Sequence, residues 1–336
     1  MLTLTRAFGH GDLPGAPCYS SAQPRYERRI GMSEGGPGEA NVHAAWRMAV
    51  AERAAAAYAP NRRLAVFAVA GSVGTGRADR FSDLEVDCYW HEPPEDRDRL
   101  APIEALGGQI VGFWDYDADE EEWSEDYTLG ALGVTISNLT VATMERWLDA
   151  VTLRADTDPV KHMRLAAIQR CRPLVGAELA LAWRDRADRY PDELVGAMVL
   201  RALDPDALHS WSAREALASR GDEIALHGLL VGVQYAVLNA VLAINRVYQP
   251  HRLAKWQRQL LSGLEVAPAR LADRLHALAS PRSAAETLDE AEALLTETAD
   301  LAERLAGVDL GEFRAVVRER RAAIDPPAWP VEGPGD

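Results

Sequence analysis

The chain has 336 residues, 48% of them hydrophobic and 26% charged, proportions ordinary for a soluble globular protein and enough for two domains with separate cores. Its 51 acidic against 36 basic residues leave a net charge of −15. That balance counts against a role tracking a polynucleotide, which needs a basic footprint, and suits a cationic or neutral small partner.

Residues 1–38 are rich in Gly, Pro and Ser without apolar periodicity and are expected to be a flexible tail, with Met32 a second candidate start. No charged-then-apolar leader opens the chain, so a cytoplasmic setting is expected. Cys18, Cys88 and Cys171 lie far apart, with no metal-site spacing, which fits a reducing compartment.

Asn41 to Tyr58 reads as an Ala-rich helix ending before Pro60. Leu64 to Ala70 is a buried strand broken at Gly71-Ser72. After ten intervening residues, Asp83-Leu84-Glu85 opens a second strand. Ile110 to Tyr116 reads as a further strand. Eight acids then fall between Asp115 and Asp126, a run expected to form a solvated loop, with Trp114, Tyr116, Trp123 and Tyr127 at strand edges or in the core.

Leu132 to Ser137 alternates like a strand, and Thr140 is placed to cap a helix from Val141 to Val151. From about Asp158 the apolar residues recur at helical spacing with no strand signal. Leu229 to Ile244 is the longest apolar stretch, interrupted by Gln234 and Asn239, and reads as a core helix short of a bilayer span. The expected organisation is a tail (1–38), a small mixed-sheet α+β domain (39–155), an α-helical domain (156–324) and a Pro-rich tail (325–336).

The chemistry concentrates between Val69 and Asp87. Gly71 permits a tight turn, and Ser72 adds a hydroxyl beside exposed amides, a combination that holds phosphate oxygens. Arg77 follows as a candidate to neutralise phosphate charge. Because strand side chains alternate, Asp83, Glu85 and Asp87 share one face. Carboxylates two residues apart are candidate ligands for Mg²⁺, which commonly shares its shell with substrate phosphates.

Gly71-Ser72 followed by Ser82-Asp83-Leu84-Glu85-Val86 resembles the signature of the polymerase-β-like nucleotidyltransferase superfamily. Glu as the second acid, with Cys88 three positions on, is similar to the kanamycin and aminoglycoside nucleotidyltransferases. The resemblance implies a mixed-sheet catalytic domain followed by helices, and Mg²⁺-dependent transfer of a nucleoside monophosphate from an NTP, ATP by preference, to an acceptor hydroxyl. Tyr190-Pro191 with Leu194, Leu242 to Tyr248, and Lys255-Trp256 resemble a set in bacterial nucleotidyltransferase-like proteins that carry a fused helical domain. By that resemblance Asn245, Tyr248 and Lys255 join Gly71, Ser72 and Arg77 as nucleotide-binding candidates, with Asp83 and Glu85 as metal ligands. A small-molecule acceptor is the expected partner, nucleic acid and membrane are not, and a homodimer stays open.

Members of the superfamily place a third acid on a neighbouring strand. The corresponding positions here are Gly133, Thr135 and Ser137, with Thr135 at the acid's place. Three readings follow: Asp87 substitutes, so that Asp83, Glu85 and Asp87 form the catalytic set; a base comes from the helical half (Glu215, Asp222 or Glu223) or another subunit; or transfer has been lost and the protein is a nucleotide-binding regulator. Modification of a protein partner, as by the antitoxin-type enzymes, is the other alternative.

Overall fold

The computed structural model describes residues 41–251, 254–280 and 283–324, so both expected tails, with Cys18 and Met32, lie outside the described residues. Asn41 starts the first helix, α1 (Val42–Tyr58), its side chain accepting from the His43 and Ala44 amides. A six-stranded sheet follows: β1 (Leu64–Val69), β2 (Leu84–Trp90), β3 (Gln109–Asp117), β4 (Glu122–Leu129), β5 (Leu132–Thr140) and β6 (Arg172–Val175). Its order is β3-β4-β5-β2-β1-β6. β2 and β5 run parallel while every other neighbouring pair is antiparallel.

The one-turn helix α2 (Gly71–Gly74) links β1 to β2, and α3 (Asp96–Ala105) links β2 to β3. Residues alternate between the two sides of the sheet. Leu64, Phe67 and Val69 of β1, with Leu84, Val86, Cys88 and Trp90 of β2, enter a core against α1 and α3. Val66, Ala68 and Tyr89 enter a larger core on the opposite side. There α4 (Val141–Arg154), α5 (Pro159–Arg170) and α6 (Ala177–Ala187) pack, Tyr89 meeting Trp183 edge-on with centroids 4.9 Å apart. Thr140 caps α4 as the sequence predicts, its hydroxyl accepting from the Thr143 amide at 3.0 Å.

That second core runs without a break into the helical half: α7 (Asp192–Ala202), a 3₁₀ segment (Pro205–Ala213), α8 (Arg214–Arg220), α9 (Glu223–Ile244), α10 (Gln257–Ser262), α11 (Leu271–Leu278), α12 (Ala284–Ala306) and α13 (Gly311–Arg318). α9 packs on α7 and α12. It begins six residues before the apolar run and, by length and composition, would reach across a membrane; 39% of its apolar window is buried inside the fold. Gln234, which interrupts that run, donates to the Leu275 carbonyl at 2.7 Å and ties α9 to α11.

The mixed-sheet α+β architecture is as expected, with two departures. The stretch past Asp158 contributes β6, which pairs with β1 and carries the sheet across the expected boundary at 155. Four residues that form a strand only by pairing with a distant one leave no period to read. The acidic run is a hairpin rather than a loop: Asp115 and Asp117 end β3, and Glu122, Glu125 and Asp126 lie in β4.

Candidate functional site

The turn between β1 and β2 is shaped by two close approaches. Gly71 sits at φ +57°, and a Cβ built there would lie 1.5 Å from Glu85 Oε2, so the glycine both adopts a left-handed backbone and leaves room for a carboxylate. Gly74, ending the same turn of helix, would place a Cβ 2.4 Å from the Val69 carbonyl oxygen. Ser72 is half-buried on the first turn, where helical N–H groups have no intrahelical partner. Arg77, also half-buried, closes the turn through its amide, which donates to the Ser72 carbonyl at 2.7 Å.

Three parallel rows of side chains cross the face that includes Glu85. The register pairs Asp87 with Ser137 and Ser124, Glu85 with Thr135 and Asp126, and carries Asp83 toward Gly133, whose built Cβ lies 3.9 Å from Asp83 Cβ. Asp83 is exposed at the mouth of the strand, and Glu85 is partly covered. Burial raises the Glu85 pKa, and the charges of Asp83 and Asp87 raise it further. Lys255 and Arg164 pull it back down, which brings Lys255, itself exposed between α9 and α10, within electrostatic reach of Glu85.

Asp87 is a paired carboxylate. Its Oδ1 accepts from Arg164 Nη1 at 2.5 Å, while Arg164 Nη2 donates to Glu122. Burial lowers the Arg164 pKa, but Asp87 and Glu122 together hold it above the ordinary arginine value. Asp87 Oδ2 is buried without a hydrogen-bond partner. Asp87, expected as the third member of the catalytic set, is thus paired inside the fold with an arginine from α5.

Two further nucleotide-binding candidates make contacts of their own. Asn245 donates to the Val241 and Val266 carbonyls and accepts from the Val266 amide, joining the end of α9 to the loop before α11. Tyr248 is wholly buried, packed tilted on Tyr190 and edge-on to His162, with ring centroids 4.8 and 5.3 Å away. Arg246 donates to the Tyr190 carbonyl at 2.7 Å and pairs with Asp192. The Tyr190–Tyr248 set is thus a joint between α7 and α9, and Asn245 and Tyr248, expected at the nucleotide, make these contacts within the helical half and with His162 of α5. Of the helical acids, Glu215 pairs with Arg320 near the other end of the helical half, and Asp222 and Glu223 are exposed at the start of α9.

The residues missed from the sequence are Asp126 and Arg164. Thr135 Oγ1 donates to Asp126 Oδ1 at 2.6 Å. The alternation of Glu122, Ser124, Asp126 and Thr128 against Trp123, Tyr127 and Leu129 was the available signal. Arg164 carries no local signal, since its partners are on other elements.

Among the described residues no group of three or more His, Cys, Asp or Glu is disposed to hold a metal ion. Magnesium asks for less, commonly one or two carboxylates with phosphate and water completing its shell. Asp83 and Glu85 fit that demand, because the like charge that raises Glu85 is what a cation beside it would relieve.

No protein-family model matches the chain, and no curated protein matches it. Among solved structures it is similar to a nucleotidyltransferase-like protein from Exiguobacterium sibiricum, at 11% identity and TM-score 0.40 over 77% of this chain and 78% of that one. What this chain does has to be read from its own residues.

Proposed function

We propose that the protein is a Mg²⁺-dependent nucleotidyltransferase that moves a nucleoside monophosphate, AMP from ATP by preference, to the hydroxyl of a small acceptor. The observation that carries this reading is the seating of the Glu85 carboxylate against Gly71, which supports a turn suited to phosphate beside a carboxylate suited to metal. Ser72 and the first-turn amides are suited to the β- and γ-phosphate oxygens, and Lys255, whose charge reaches Glu85, would add positive charge near them. Magnesium bound by Asp83 and Glu85 would offset negative charge on the α-phosphate and the departing pyrophosphate. An aminoglycoside-like acceptor fits the acidity of the chain and the resemblance of the Ser82–Val86 motif.

Labelled ATP, Mg²⁺ and a panel of hydroxylated acceptors test the reading. The wild type is expected to release pyrophosphate and label one acceptor, and Asp83→Asn to lower the rate by about 100-fold or more, the scale of metal-dependent charge stabilisation. Transfer that survives Asp83→Asn would remove the metal assignment.

A second reading, a nucleotide-binding regulator, is favoured by one observation, the capture of Asp87 by Arg164 beside a β5 strand without acids. It predicts Mg²⁺-dependent ATP binding with no pyrophosphate release for any acceptor.

A further inference from the structure

We propose that Thr135 and Asp126 together accept the proton of the acceptor hydroxyl, so that the acid absent from β5 is supplied from β4 through a threonine. The inference rests on the transferase reading above. Glu85, Thr135 and Asp126 stand in one row across β2, β5 and β4. Adjacent strands lie about 4.8 Å apart, which separates the Glu85 and Asp126 backbones by about 10 Å. That is one strand too far for Asp126 to stand where a third acid on β5 would stand. The Thr135 hydroxyl spans the gap.

The direction of the Thr135–Asp126 bond decides what the pair can do. A threonine hydroxyl has one proton and two lone pairs. Here the proton goes to Asp126 Oδ1, with the two oxygens 2.6 Å apart. The oxygen is thereby left as an acceptor for an O–H group arriving from the Glu85 side. Both residues are partly exposed, so the row is open to a ligand.

Ser137, in the next row, offers a comparison. Its Oγ donates at 3.3 Å to Glu122 Oε1, diagonal to the Ser124 that stands opposite it, and Arg164 pairs with Glu122 as well as with Asp87. Among the described residues Asp126 has no ion-pair partner. Among the described residues it is a hydroxyl-linked carboxylate of this face that no arginine pairs with.

The proposed step balances as follows. The acceptor oxygen forms a bond to the α-phosphorus while the bond from that phosphorus to the bridging oxygen breaks. The electron pair of the broken bond leaves with pyrophosphate. The acceptor proton passes to Thr135 Oγ1 as the Thr135 proton passes to Asp126 Oδ1. Thr135 touches the reacting atoms and is the catalytic residue, and Asp126 is a positioning residue acting through it.

Thr135→Ala, Thr135→Ser, Asp126→Asn and the double variant Thr135→Ala/Asp126→Asn test the relay, with the ATP dissociation constant, kcat and acceptor KM measured for each. Thr135→Ala and Asp126→Asn are expected to lower kcat by about 100-fold or more, the range of general-base assistance, while ATP affinity stays within about twofold. Thr135→Ser, which keeps the hydroxyl, is expected to retain kcat within about threefold of wild type. The double variant is expected to be no slower than the slower single by more than about threefold, because residues acting as one unit are not additive. Asp126→Asn with wild-type kcat, or single effects that multiply in the double, would overturn the relay and leave the transferase reading standing. A wild type that binds no ATP would instead overturn the transferase reading, and the relay with it.

Discussion

Glu85 is held where its charge is unwelcome. Burial, Asp83 and Asp87 all raise its pKa, and Lys255 with Arg164 only partly offset them. A carboxylate whose folded pKa lies above its unfolded value contributes stability below the unfolded pKa and loses it as pH rises through the folded pKa. At neutral pH the ionised Glu85 therefore destabilises the unliganded protein. Glu85→Gln is expected to melt at a higher temperature than wild type at pH about 7 without metal or nucleotide, the gap closing as pH falls below about 4, near the unfolded glutamate value. Mg²⁺ with ATP is expected to raise the wild-type melting temperature and leave that of Glu85→Gln unmoved, since a ligand stabilises only the fold that binds it. Thermal melts across pH check both, and equal melting of the two proteins at neutral pH would remove the argument.

The hairpin β3–β4 shows how an element can hide in its own charge. Glu125 points into the apolar side of the sheet, where Arg99 of α3 meets it through Nε and Nη2, both at 2.9 Å. Arg99 Nη2 also donates to the Trp114 and Ser124 carbonyls, and its guanidinium lies 3.9 Å from the centre of the Phe113 ring. Asn138 Nδ2 donates to both Glu125 oxygens and its Oδ1 accepts from Trp90, so the network joins α3, β2, β4 and β5. Arg99→Ala is expected to cost about 3–5 kcal/mol in denaturant unfolding, the cost of leaving a buried carboxylate unpaired. Glu125→Gln, which keeps the shape and lowers the charge, is expected to cost about 1–3 kcal/mol. An Arg99→Ala loss under about 1 kcal/mol would mean the site is wetter than its zero exposure implies. The same network explains what was legible. α1, β1, β2, β5 and α4 announce themselves by periodicity or by a cap, which are local. β4 does not, because a glutamate at a core position is acceptable only once an arginine from another element arrives. The approach of Glu85 to Gly71 joins two residues that are close in sequence and could be singled out together. The Thr135–Asp126 bond depends on cross-strand register, and the roles of Asn245 and Tyr248 on backbone and rings from distant segments.

Across the whole molecule, Lys255 and Arg164 are the positive charges whose pull reaches Glu85. Arg164 is taken by Asp87 and Glu122, and Lys255 acts on Glu85. The tip of the β3–β4 hairpin, from Asp115 to Glu121, is exposed or nearly so and lies in the same sheet as Glu85, toward the Trp90 end of β2. With a net charge of −15, that arrangement attracts a cation and repels a polyanion. Attraction between exposed charges is screened beyond about 8–10 Å near physiological salt and beyond about 3 Å at 1 M. If the acceptor is a polycation of the aminoglycoside kind, its KM is expected to rise about tenfold between about 0.05 and 0.5 M salt, with kcat much less affected, because screening acts on encounter rather than on the step at the α-phosphate. A neutral hydroxylated acceptor should show no such slope under the same conditions. Steady-state rates over a salt series with ATP saturating decide it. A flat KM for the best polycationic acceptor would assign the acidic hairpin to solubility and turn the search toward neutral substrates.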